Sequence, residues 1–356
     1  MILTAGVAVV KLIGALFKIP LFDILGAEGI GYFTAAYELY APLQTLAMAG
    51  FPIAISRMVS ENIARRRFRD VKQIHRVSVP IFGVLGLICF GGMIGGAFLY
   101  ARFINSPGVI YTTLALSPTI LFVCLLSIYR GYYQGMRNMA PVAVSEIVEA
   151  VCKLIIGLTL SSIIMRMGTE EYAANGTIFG TPYATQDQAM SALLPLAAAG
   201  AILGITIGAI VGFFFLMLRY KRQGDGITEE ELLTSPKPRG GRDTVRLLIR
   251  IAVPVALGAL ITNMAGLIDT SLIQRRISDI MQTQGDVLCS LYPQLLNTEN
   301  AGRAHTILYG CFASANTIVM LIPAITQVFG ISALPTVTAA WTEGVRDKIR
   351  RSIESV

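Results

Sequence analysis

The chain has 356 residues, of which 54% are hydrophobic and 14% charged, and its mean hydropathy is +0.63. Soluble domains carry about 25% charged residues, so this composition excludes an ordinary water-facing surface. Helical spans need about 20 apolar residues each, which leaves short connections and no room for a folded enzymatic domain outside a membrane. The net charge of +7 does not by itself point to nucleic acid, because membrane proteins distribute Lys and Arg by topology.

Apolar runs of spanning length occur at 1–22, 32–58, 77–103, 109–133, 141–165, 189–218, 245–272 and 306–340. They predict an all-α membrane protein of about eight transmembrane helices. The first run has no basic leader and no small-residue cleavage site, so it reads as a span rather than a signal peptide. Between runs one and two, GAEGIG at 26–31 reads as a tight turn. Span three contains Gly91, Gly92, Gly95 and Gly96, whose spacing of four predicts close helix packing.

Alternate connections differ sharply in basic charge. Lys and Arg number 21 on the side holding ARRRFR (64–69), Arg130, Arg137, the 219–250 segment and the C-terminal tail, against 5 on the other. The positive-inside rule then puts both termini in the cytoplasm, and the plasma membrane is the expected location. The connection at 167–188 is rich in Gly, Thr and Ala, and the one at 220–244 contains SPKPRGGR, which is linker chemistry. That linker predicts a boundary between residues 1–235, a six-helix N-terminal bundle, and 236–356, the first hairpin of a second bundle.

Ionisable residues inside spans are costly and either pair or line a cavity. Lys11 and Lys18 are seven apart and share a face of span one. Span five carries Glu146, Glu149 and Lys153 on one face, with Glu149 and Lys153 at the favourable spacing for an ion pair; a structural pair and an ion-coupling site are both open readings. Asp269, near the far end of span seven, reads as hydrated at the interface. Arg57 and Arg130 sit at the basic mouths of spans two and four. The basic run after span two reads as a topology signal or an anionic-lipid contact. Five cysteines without CxxC spacing and only two histidines predict no disulfide framework, metal or other cofactor.

KLIGALFKIPLFDILGAEGIGYF from Lys11, AGFPIAISRMVSE from Ala49 and YRGYYQGMRNMAPVAVSEIVEAVCK from Tyr129 resemble the polysaccharide-transporter branch of the multidrug/oligosaccharidyl-lipid/polysaccharide flippase superfamily, and within it the sporulation members. LIDTSLIQRR at Leu267 fits more loosely. The resemblance implies two six-helix bundles around a central cavity and transport of a lipid diphosphate-linked oligosaccharide, with membrane lipids and a coupling cation as further partners and no nucleic acid. By position it implies substrate contacts at Lys11, Lys18, Arg57, Arg130, Gln134 and Asn138, with Glu149 and Lys153 in the same motif. The chain departs at Asp23, where relatives carry a basic residue. Those relatives have 12 to 14 spans, so eight spans read as a fragment.

Two other classes compete. An organic-cation exporter of the multidrug and toxic compound extrusion type needs an acidic or aromatic cavity, whereas the first bundle offers basic residues. A membrane-embedded transferase needs converging acids or a nucleophile with a base, and the only acid cluster, Glu146 with Glu149, stands beside Lys153.

Overall fold

The computed structural model describes residues 2–293 and 300–319. The protein is an all-α membrane protein with one small β-hairpin. α1 (Ile2–Thr45) carries the first predicted span and part of the second. It breaks at Gly26, where φ is 61°, a conformation that any β-carbon would oppose. The break reverses the chain: the rings of Phe17 and Phe33 lie 6.1 Å apart, whereas a straight helix would separate them by about 24 Å. The predicted turn at 26–31 therefore contracts to one residue. A π-helical turn, Leu46–Gly50, joins α1 to α2 (Phe51–Ala64), so span two is segmented rather than continuous. Pro52, at the start of α2, supplies no N–H to the preceding turn, which favours such an irregularity.

α3 (Phe68–Phe103), α4 (Val109–Gly135), α5 (Ala140–Asn175) and α6 (Gln186–Gln223) follow, then the short α7 (Glu229–Thr234), α8 (Gly241–Leu291) and α9 (Ala304–Val319). Among the described residues, α3, α4, α5, α6 and α8 are each long and apolar enough to cross a membrane. α5, α6 and α8 outrun the predicted spans at both ends, and α3 and α4 at one. α8 extends past 272, so Arg275 and Arg276 lie within a helix and not in a connection; the Arg275 guanidinium sits 4.8 Å from the Phe103 ring centroid. The eighth predicted span is described only to Val319, and the rest of it lies outside the described residues.

One core joins the interior faces of α1, α3, α4 and α6 around Phe17, Leu21, Tyr40, Leu116 and Ile120, and it extends to Tyr309 and Ala313 of α9. A second, nearer the Arg-rich end, packs Phe51, Ile55, Phe82 and Tyr132 against Leu248 and Ala252 of α8. α5 and α6 approach most closely at Gly157 and Gly204, where a β-carbon on Gly204 would collide with the Gly157 backbone. By contrast, β-carbons at Gly91, Gly92, Gly95 and Gly96 would meet nothing within 4 Å. The predicted packing role of the span-three glycines is thus corrected. Their face of α3 points outward, and the close approach belongs to the glycines of α5 and α6 instead.

The predicted loop at 167–188 is mostly helix. Gly176 ends α5 with φ 68°, and β1 (Thr177–Ile178) pairs antiparallel with β2 (Thr181–Pro182) through a two-residue turn, Phe179-Gly180. The Glu171 carboxylate fastens this hairpin by accepting from Thr177 Oγ1 (2.8 Å), the Phe179 N–H (3.0 Å) and the Gly180 N–H (2.9 Å). Glu171 stands beyond the predicted span 141–165, and these donors hold its carboxyl below the ordinary glutamate value.

The linker between α6 and α8 is fastened along its length. Buried Asp70 accepts the Arg239 N–H (2.8 Å) and pairs with Arg67. Gln73 donates to the Arg239 carbonyl, and Arg69 donates to the Leu232 carbonyl (2.8 Å). Asp225 accepts from the Tyr132 hydroxyl at 2.7 Å. At the opposite, hairpin end, Arg303 pairs with Glu28 at 3.0 Å, Tyr32 donates to the same Glu28 oxygen at 2.9 Å, and Ser106 and Thr306 share a hydrogen bond of 3.1 Å. A β-carbon on Gly310 would collide with the Ala27 carbonyl, so α9 and the returning half of α1 touch backbone to backbone.

Candidate functional site

The reversal at Gly26 folds the outgoing half of α1 against the returning half and sets Lys18 opposite Glu38. The two lie within electrostatic reach of each other. Lys18 Nζ donates to Thr317 Oγ1 of α9 at 2.7 Å. The Glu38 carboxylate fits beside α8 where Gly266 has no side chain; a β-carbon there would stand 3.1 Å from Glu38 Oε2.

The charges continue onto α5 and α4. The Lys153 ammonium lies over Phe17, 4.8 Å from the ring centroid, and feels both Lys18 and Glu149. Glu149 Oε2 accepts from Arg130 Nη2 at 2.9 Å, and Arg130 Nε donates to the buried Ser145 hydroxyl at 3.2 Å. Glu146 lies within reach of Arg130 and Glu149. Glu38, Lys18, Lys153, Glu149, Arg130 and Glu146 therefore form a track of three anions and three cations across the bundle. Charges so arranged offset much of one another's desolvation.

This geometry corrects the predicted pairing of Glu149 with Lys153. Glu149 points across to α4 and accepts one bond from Arg130, whose Nε is given to Ser145, while Lys153 uses an aromatic face. It also adds Glu38 to the carboxylates Glu146 and Glu149 already read in the first bundle. Glu38 escapes sequence reasoning because it is embedded among aromatics in AAYELYAP; a lone carboxylate within the predicted span 32–58 was the available signal.

The other predicted positions are dispersed. Lys11 is half-buried on the outgoing half of α1, Arg57 is exposed on α2, Gln134 is half-buried in the last turn of α4, and Asn138 is exposed in the α4–α5 connection. α2 and the end of α4 are joined by Ser60 donating to the Gly135 carbonyl at 2.9 Å, which puts Arg57, Gln134 and Asn138 at the Arg-rich end. Asp269 is exposed on α8. A cavity of about 530 Å³ opens between α1 and α9, lined by Lys18, Asp23, Phe22, Phe33, Ser314 and Thr317 among others. Asp23, the departure noted in the sequence, thus stands on its wall. Among the described residues no three His, Cys, Asp or Glu side chains converge as a metal site.

The profile of the family described as "Polysaccharide biosynthesis protein" matches residues 1–181. The chain belongs to that family. Stage V sporulation protein B of Bacillus subtilis (strain 168) is 26% identical over 266 residues, covering 74% of this chain and 46% of the relative. Lipid II flippase MurJ of the same organism is 23% identical over 361 residues, covering 96% of this chain and 58% of the relative. The chain spans about half the length of these curated relatives.

The fold of this polysaccharide biosynthesis family member matches an inward-facing multidrug resistance MATE family transporter of the MOP superfamily, with a TM-score of 0.55 at 16% identity. That match covers 97% of this chain and 68% of the other. A MOP superfamily transporter from Pyrococcus furiosus matches with a TM-score of 0.54 at 16% identity, covering 99% and 66%. The resemblance drawn from the sequence motifs is borne out at the level of family and fold.

Proposed function

We propose that the chain forms a six-helix unit (1–235) and the opening hairpin of a second unit (236–356) in a transporter that moves a lipid diphosphate-linked oligosaccharide across the plasma membrane. In this reading it makes and breaks no covalent bonds, and the Arg-rich end and both termini face the cytoplasm. The observation that carries the reading is the charged track through the bundle. A diphosphate crossing the bilayer loses its hydration, and fixed cations that it can reach replace part of that loss. Lys11 and Lys18 are assigned to the diphosphate, and Arg57, Gln134 and Asn138 to its cytoplasmic approach. Arg130 is assigned to holding Glu149, and Glu146 and Asp269 are the candidates for meeting a coupling cation. Rocking of the two helical units about this region would give alternating access. Kinship with a polysaccharide biosynthesis family, and with a relative named as a lipid II flippase, supports the reading.

Glu38 favours a second reading, an organic-cation exporter, because it adds a carboxylate beside Lys18. Transport into vesicles separates the two. For lipid-linked oligosaccharide, activity should fall in the order lysine, arginine, alanine, glutamate at both position 11 and position 18, with about tenfold loss for Lys18→Ala, the loss of one charged contact. Glu38→Gln should leave that activity within about threefold, the size of a weak contact. Wild-type rates in Lys18→Glu, together with organic-cation transport abolished by Glu38→Gln, would replace the flippase reading with the exporter.

A further inference from the structure

We propose that the pocket under the β1–β2 hairpin is a binding site for an uncharged saccharide. It lies at the hairpin end, apart from the charged track, so the inference goes beyond the transport reading and does not depend on it. The cavity measures about 670 Å³, within the range of small-ligand pockets.

Its walls are aromatic and its polar groups neutral. Phe98 of α3, Tyr111 of α4, and Phe179 and Tyr183 of the hairpin segment present rings to it, and Phe98, Tyr111 and Phe179 are about half exposed. Asn105, Thr181 and Ser191 supply an amide and hydroxyls. Among the described residues the wall carries one guanidinium, Arg303, already joined to Glu28 at 3.0 Å, and one imidazole, His305. An anion finds the guanidinium charge largely cancelled. A cation, which aromatic walls would otherwise attract, meets a guanidinium and, among the described residues, no lining carboxylate. A sugar ring presents a C–H face for stacking and a rim of hydroxyls for the neutral donors and acceptors, which matches what remains.

The hairpin gives an independent reason. Phe179 occupies the first turn position with φ 47°, followed by Gly180 with φ 79°. Two-residue hairpin turns with both φ positive favour Asn, Asp or Gly in the first position, and a bulky residue there is strained. The chain places a half-exposed phenyl ring at that strained position, on the pocket wall, and fastens the turn with three bonds to Glu171. Strain held in place by surrounding structure is characteristic of ligand sites, and a fixed wall binds at lower entropic cost.

The test uses the protein in nanodiscs free of sugar detergents, with tetra-N-acetylchitotetraose and cellotetraose as probes and saturation-transfer NMR as the readout. Binding of at least one probe is expected with a Kd of about 1 mM. Phe179→Gly should weaken it about tenfold, the loss of one stacked ring, while melting temperature stays level or rises because glycine relieves the turn. Tyr111→Ala should weaken it similarly. Failure of the wild type to bind either saccharide at about 10 mM, tenfold above that Kd, would overturn the inference. So would unchanged affinity in both variants, or preferential binding of tetramethylammonium or inorganic phosphate. A protein that transports lipid-linked oligosaccharide yet binds neither probe would refute this site and leave the flippase reading standing.

Discussion

Truncating Glu149 should strand Arg130, and the cost can be worked from the geometry. Arg130 is 5% exposed and Glu149 25% exposed across a contact of 2.9 Å. In Glu149→Ala the guanidinium keeps the Ser145 hydroxyl at 3.2 Å as its hydrogen-bond partner and Glu146 within electrostatic reach. Removing one partner of a buried pair costs about 3–5 kcal/mol; the partial exposure of Glu149 lets water reach the gap, so about 3 kcal/mol is expected. Arg130→Leu should cost less, about 1–2 kcal/mol, because it leaves the more exposed partner alone. The double variant Arg130→Leu/Glu149→Leu should return to within about 1 kcal/mol of wild type, since neither charge is then stranded. Reversible unfolding in mixed micelles of the four proteins closes the double-mutant cycle. A cycle of Glu149 with Lys153 should show a coupling of about 0.5 kcal/mol or less, since Lys153 rests on Phe17. Additive behaviour of Arg130 with Glu149, or a larger coupling to Lys153 than to Arg130, would refute the reasoning.

Gly204→Ala should destabilise by about 1–3 kcal/mol because its β-carbon must push α6 off the Gly157 backbone, whereas Gly95→Ala, with open space around it, should be neutral or stabilising by less than about 1 kcal/mol; equal melting shifts would contradict this assignment of the packed face. The hairpin should depend on pH through Glu171. Its folded carboxyl is lowered below the ordinary value of 4.5, so its contribution is present above the unfolded value and disappears as pH falls through the folded one. Protection of the Phe179 and Gly180 amides, corrected for intrinsic exchange, should therefore persist at neutral pH and be lost only as pH falls below the ordinary glutamate value, through the lowered folded one. Glu171→Gln should lack it at neutral pH, and full protection in that variant would disprove the fastening.

Much of the fold was legible because a bilayer forces long apolar runs into helices; the eight runs correspond to the two halves of α1 with α2, then α3 to α6, α8 and the start of α9. What the sequence hid was relational. Glu149 has Lys153 one turn away on its own helix, and nothing in the local spacing reveals that Arg130 lies nearer in space. The glycines of α3 and of α6 share one spacing, but only packing distinguishes the face against a neighbour from the face left open. Lys18 was recognisable as a cation inside a predicted span, whereas its being set opposite Glu38 becomes visible only when the reversal at Gly26 folds the two halves together. The hairpin left a weak signal in NGTIFGTPY, where Phe stands at the position that turn chemistry assigns to Asn or Gly.

The fastening of the linker along α3 turns a tether into a pivot. Unbound, residues 224–240 could reach about 55 Å, long enough to let α8 drift freely. With Arg239 fixed to Asp70 and Gln73, the first turn of α8 is pinned within a residue or two of the first unit. From that fulcrum to its break at Gln284 α8 measures about 66 Å along its path. A tilt of about 10° at the pinned end would then carry the far end through about 10 Å, the width of one helix. Near that far end α8 meets the first unit again, where Asn105 donates to Ser278 at 3.2 Å, and Arg303 and Thr306 hold the contacts with Glu28 and Ser106, so a rotation about the pinned end would have to part these bonds at the opposite end of the bundle.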